Sequence, residues 1–225
     1  MSKPKTSRVS RYAFLVLAGL LGLGGCSGPA LSPGVRALPE SVELSGVPFF
    51  PQRAYQSAPA ALASLLTAQG EVITPGLLEK PLRLPQDEQG LAERIAEVAN
   101  RHGLLVYPLE PTLEALLVQV ADGHPVLARV NEGWLESPRF VLLIGYERVK
   151  RNVVLRAGAE RRRLMSFADF QSAWRAGGQW AVLVQSPRQL PANIDRSRWR
   201  QAADALERAG QGTAAANARR RLGNE

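Results

Sequence analysis

Apolar residues recur at three- and four-residue intervals in several stretches of the chain, the spacing of one helical face. Leu62, Leu65 and Leu66 form such a face and predict a helix over Ser57–Gln69, ended by Gly70. Ser57 is a good N-cap type, and Pro59 suits the first turn. Val47 and Phe50 each precede a proline, so the approach to this helix reads as extended. A short helix is predicted over Thr74–Lys80, with Thr74 as cap and Pro75 in the first turn, and Pro81–Pro85 reads as loop. Leu91, Ile95, Val98 and Ala99 place a helix over Asp87–His102, with Gly103 after it. Leu113, Leu116, Leu117 and Val120 do the same for Thr112–Ala121, and Phe167, Phe170 and Trp174 for Ser166–Ala176.

Other stretches read as strands: Leu104–Tyr107, Pro125–Val130, Val153–Arg156 and Gln179–Gln185. Arg139–Tyr146 is almost continuously apolar, which marks a central strand buried on both faces. Helices come first and an antiparallel sheet follows, an α+β class with an N-terminal helical half packed on the sheet. Pro187–Asn193 reads as a linker. Beyond it, Arg198–Arg208 and Thr213–Leu222 form a C-terminal helical hairpin within 194–223. Trp199 and Leu206, with the small Ala202, Ala203, Ala214, Ala215 and Ala218, give it a likeness to one tetratricopeptide repeat or to a generic helical hairpin.

The first 25 residues have the layout of a secretory signal peptide. Lys3, Lys5, Arg8 and Arg11 are its basic part. Tyr12–Leu23 is its apolar part, too short for a permanent membrane helix. Leu23-Gly24-Gly25-Cys26 resembles a bacterial lipobox. That resemblance implies a lipid on Cys26 as the anchor to the membrane, and Ser27 implies sorting to the outer membrane. The expected location is therefore the bacterial cell envelope, lipid-anchored and facing the periplasm. Residues 26–46, poor in large apolar side chains, read as a tether.

Composition narrows the chemistry. The chain has 225 residues and a net charge of +8; without the four basic residues of the signal, 24 basic residues face 20 acidic ones, a balance of +4. That mild excess gives no reason to expect nucleic acid as a partner. Cys26 is the only cysteine, so no disulfide forms within the chain and no thiol is left for catalysis in the domain. No His, Cys, Asp or Glu pair has metal-ligand spacing, and no glycine loop suits a phosphate, so neither metal nor cofactor is expected.

The stretch from Val47 to Leu66 reads Val-Pro-Phe-Phe-Pro-Gln-Arg-Ala-Tyr-Gln-Ser-Ala-Pro-Ala-Ala-Leu-Ala-Ser-Leu-Leu. It resembles the active-site start of the C39-like cysteine peptidases, a papain-like family whose pattern is Val-Pro-Phe-apolar-Pro-Gln, four residues, then Cys-Gly-Pro-Ala-Ala-Leu-Ala. The resemblance puts Gln52 on the oxyanion-hole glutamine, Ser57 on the nucleophilic cysteine and Ala58 on the following glycine. The strand Arg139-Phe140-Val141-Leu142-Leu143-Ile144-Gly145-Tyr146 resembles the family's histidine strand, with Arg139 on the histidine. The third catalytic residue, an acid or amide, follows the next strand. Here Val153–Glu160 has no acid near Arg156, and Glu160 would have to fold back.

A thiolate at a helix N-terminus is stabilised by the helix dipole and an adjacent histidine. A serine keeps the geometry and loses the acidity, and an arginine cannot serve as a general base. The resemblance spans Val47–Pro187 and implies a papain-like domain over 47–187. It also implies membership of a lipoprotein subgroup with tetratricopeptide-like helices behind the peptidase domain. Its first implication for function is a catalytically inactive lipoprotein that binds a peptide or protein segment in the old cleft. The candidate contacts are Gln52, Tyr55, Ser57, Trp134 and Arg139. A second reading is a peptidase of altered type with Ser57 as nucleophile and Lys80 or Lys150 as base. A third is a structural or assembly lipoprotein acting through the C-terminal helices.

Other polar features have plainer readings. His124 reads as a turn residue and His102 as a helix-terminal cation. Arg161-Arg162-Arg163 reads as a solvated hairpin turn. Trp134, Trp174, Trp180 and Trp199 read as core or groove-wall residues.

Overall fold

The computed structural model describes residues 31–51, 56–84, 90–133 and 137–223. The chain divides into two units, Met1–Ser32 and Pro33–Glu225, and the fold described below belongs to the second. The signal segment, Cys26, Gln52, Tyr55, Trp134 and the predicted helix start at Asp87 lie outside the described residues.

The helices are α1 (Pro33–Ala37), α2 (Ser57–Ala68), α3 (Pro75–Glu79), α4 (Leu91–Arg101), α5 (Leu113–Ala121), α6 (Phe167–Ala176), α7 (Arg196–Arg208) and α8 (Gly212–Gly223). The strands are β1 (Ser41–Glu43), β2 (Leu105–Pro108), β3 (Val126–Val130), β4 (Arg139–Glu147), β5 (Asn152–Ala157), β6 (Glu160–Ser166) and β7 (Ala181–Gln185). They form one antiparallel sheet in the order β2-β7-β3-β4-β5-β6, with β1 added to β4. The architecture is α+β, as the order of apolar periods predicts.

β4 organises the sheet. Its interior residues, Phe140 to Tyr146, are all buried. One edge pairs with β5, whereas the other is shared, β3 taking Arg139–Leu143 and β1 taking Gly145–Glu147. Phe140, Leu142 and Ile144 alternate onto one face and enter the main core with Leu62, Leu65 and Leu66 of α2 and Ile95 of α4. α6 packs against β3, β5 and β6.

Local chemistry explains where several helices begin and end. Thr112 caps α5 by accepting from the Ala115 N–H (3.1 Å), and Ser166 caps α6 by accepting from Asp169 (3.0 Å). Asp195 caps α7 by accepting from Arg198 (2.9 Å). Gly70 follows α2 with φ of 96°, a conformation that suits glycine. The α7–α8 hairpin docks on the domain rather than standing off it. Trp199 is fully buried beside Tyr107, with ring centroids 6.2 Å apart, and Gln211 donates to the Arg101 carbonyl (2.8 Å).

Three sequence expectations are corrected. Residues 33–43 are not tether: they form α1 and β1, and β1 pairs with the end of β4. Ser57 is the first residue of α2, and its N-cap is Gln56. Arg161, Arg162 and Arg163 lie within β6, not in a turn; the turn is at Gly158, where φ is 58°. Their placement follows from pairing with β5, where Leu155 faces Arg163. The linker over 187–193 has neither helix nor strand, as expected, and it is held in place. The Gln119 side chain donates to the Ala192 carbonyl (2.8 Å) and accepts from the Ala192 N–H (3.0 Å).

Candidate functional site

α2 points its N-terminus at the start of β4. Ser57 is 6% exposed there, and its hydroxyl oxygen accepts a hydrogen bond from the Phe140 N–H at 3.2 Å. This bond joins the helical half to the sheet. The Phe140 ring stands edge-on to Trp180, 5.5 Å between centroids. Arg139 is the first residue of β4, opposite Val130 of β3.

Ser57 and Arg139 line the same cavity, of about 200 Å³. The antiparallel register, with Leu142 opposite Arg156, carries the chain after β5 back toward Arg139. Ala157, Gly158 and Ala159 therefore stand along the cavity where a third catalytic residue would be sought. Glu160 does reach the cavity, a placement its distance along the chain from Arg156 left open.

Charge in the cavity is paired. Arg163 donates twice to Glu132, at 2.9 and 2.5 Å, and lies 3.7 Å from Glu160. These hydrogen bonds to Glu132 raise the Arg163 pKa above its ordinary value, so it stays protonated. Arg156 of β5 is buried and donates to the Arg161 carbonyl (2.7 Å). Its Nε has no partner among the described residues, and burial lowers its pKa.

Neither histidine lines the cavity. His102 follows α4, 3.7 Å from Glu71, and His124 precedes β3, 3.3 Å from Asp122. Lys80 ends α3 in solvent, and Lys150 pairs with Glu147 (3.4 Å) beyond the opposite end of β4 from Arg139. The structure thus brings Ser57 and Arg139 together and leaves both lysines away from them. Gln52, Tyr55 and Trp134 lie outside the described residues. Trp174 is core, its indole N–H donating to the Trp180 carbonyl (2.9 Å).

No family model matches the chain, and no curated protein matches it. Solved structures do. A protein described as a C39-like peptidase from Bacillus anthracis aligns over 65% of this chain and 98% of its own, with TM-score 0.54 and 18% identity. The fold is that of a C39-like peptidase domain. A double glycine motif protease of an AMS/PCAT transporter, solved with its leader peptide, has TM-score 0.49 and 18% identity over 64% of this chain and 94% of its own. The peptidase domain of Streptococcus ComA, a bi-functional ABC transporter of a quorum-sensing pathway, has TM-score 0.46 and 19% identity over 60% and 95%.

Within the C39-like fold, Glu132, Glu160 and Arg163 are the cavity residues that sequence reading missed or left aside. Glu132 is a single acid in the Asn131-Glu132-Gly133 segment after β3, and nothing in its local pattern distinguishes it. Only the pairing of β6 with β5 brings Arg163 to it.

Proposed function

We propose that the chain is a lipid-anchored protein of the cell envelope that holds a peptide or protein segment in the cleft of its C39-like fold without cutting it. The observation that carries this reading is at the head of α2. The Ser57 hydroxyl occupies the thiol position of the family resemblance, and its oxygen accepts from a backbone N–H. Arg139 occupies the histidine position. A serine needs a base to take its proton, and a guanidinium remains protonated. The cavity beside them persists, at about 200 Å³, and Arg139 lines it.

The anchor in this proposal is a lipid on Cys26, after removal of residues 1–25, and the location is the outer membrane facing the periplasm. Fractionation of cells carrying Cys26→Ser tests it: the protein should leave the membrane fraction. For the cleft, the full chain is titrated with labelled peptides, and the peptides are then recovered for mass spectrometry. Saturable binding with intact peptides is the expected result. Cleaved peptides, or no binding, would contradict it.

A further inference from the structure

Next to the Ser57 cavity is a second one, larger, of about 440 Å³. One wall is a stripe of α6: Asp169, Ser172, Ala173 and Ala176 follow one another at i, i+3, i+4 and i+7 and share a face. Met165 of β6 and the segment 131–133 after β3 complete it. That segment is tied to the helix, because the Asn131 N–H donates to the Ala173 carbonyl (2.8 Å). Glu132 lines both cavities, so they adjoin across one side chain.

The chemistry of this pocket differs from its neighbour's. Met165, Ala173 and Ala176 give it apolar walls, and the small residues on α6 leave the space open. Its described lining has two carboxylates, Glu132 and Asp169, and no Lys or Arg. Glu132 is compensated by Arg163. Asp169 accepts from the Ser166 hydroxyl (2.6 Å) and forms no ion pair among the described residues. The rim therefore carries a carboxylate in the first turn of α6, with no ion-pair partner among the described residues, beside apolar walls. A lysine or arginine side chain has the matching form, an apolar stem with a cationic end.

We propose that this cavity is a specificity pocket of the cleft and takes a Lys or Arg side chain of the bound peptide, whose main chain runs past Glu132 toward Ser57. The proposal rests on the peptide-binding reading of the Ser57 cavity. It adds the class of ligand: a segment bearing a basic residue.

The test uses the full chain and four short fluorescein-labelled peptides of one alanine-serine background, with Lys, Arg, Leu or Glu at the centre. Fluorescence anisotropy should show the Lys and Arg peptides binding about fivefold tighter than the Leu and Glu peptides. Asp169→Asn should abolish that preference and leave the Leu peptide unchanged. Ala176→Leu, which fills the pocket from an exposed helix position, should abolish it as well, with melting temperatures confirming that both variants fold. Equal binding of all four peptides, or a preference that survives Asp169→Asn, overturns the pocket and spares the peptide-binding reading. Failure of every peptide to bind overturns both.

Discussion

The Ser57 hydroxyl oxygen on α2 accepts the Phe140 N–H on β4 across 3.2 Å, in a place where both residues are buried. A helix N-terminus and a strand start are thereby tied together at the position a nucleophile would hold. Ser57→Ala removes the acceptor and leaves a buried N–H unpaired. The expected loss of stability is about 1–3 kcal/mol, read by urea denaturation. A variant as stable as the wild type would show that Phe140 finds another acceptor.

Gly145 marks the crossing of β1 and β4. A Cβ there would run into the Val42 carbonyl and stand 3.0 Å from the Glu43 Cα and 3.2 Å from the Val154 Cβ. Gly145→Ala should therefore dislodge β1, at a cost of about 1–3 kcal/mol. Limited proteolysis should then cut within residues 33–46 at a protease concentration that spares the wild type. Unchanged resistance would contradict the role given to Gly145.

The C-terminal hairpin should melt with the domain. The Trp199 indole N–H donates to the Ala218 carbonyl (2.8 Å), and its ring is fully buried near Tyr107. Trp199→Ala should cost about 3–5 kcal/mol. Calorimetry of the wild type should show one transition. Two transitions, only one of them moved by Trp199→Ala, would mean that the hairpin folds as a separate module.

Asp195 gives a pH signature. The Arg198 N–H, the strongest influence on its carboxylate, holds its pKa below the ordinary 3.8, with help from the Arg198 guanidinium and against partial desolvation. A depressed folded pKa contributes stability above the unfolded value and loses it as pH falls through the folded one. Asp195→Asn should therefore melt below the wild type at neutral pH, and the gap should close as pH drops under about 4. A gap that stays constant into the acid limb would contradict this.

Much of this fold is written in periodicity. The unbroken apolar run from Phe140 to Ile144 announces a strand buried on both faces, and β4 is that strand. The three- and four-residue spacing of Leu62, Leu65 and Leu66 announces α2. The misses have a common cause. α1 and β1 are only five and three residues long, too short for a period, and β1 is held by backbone pairing with β4. β6 carries three arginines in a row, and no apolar alternation reveals an edge strand whose side chains pair with distant acids, Arg162 with Glu43 and Arg163 with Glu132. In the site, Ser57 and Arg139 were legible because motifs flank them. Glu132 and Asp169 were not, because a cavity between a loop segment and a helix face leaves no spacing in the sequence.

The central claim is a C39-like cleft that binds without cutting. Its most direct test incubates the soluble form, Ser27–Glu225, and its Ser57→Ala variant with a broad peptide mixture and analyses the products by mass spectrometry. The account predicts no cleavage by either protein, because Arg139 cannot accept a proton and the carboxylates of the cavity, Glu132 and Glu160, are paired with Arg163. Cleavage by the wild type that disappears in Ser57→Ala would contradict it and make Ser57 a working nucleophile.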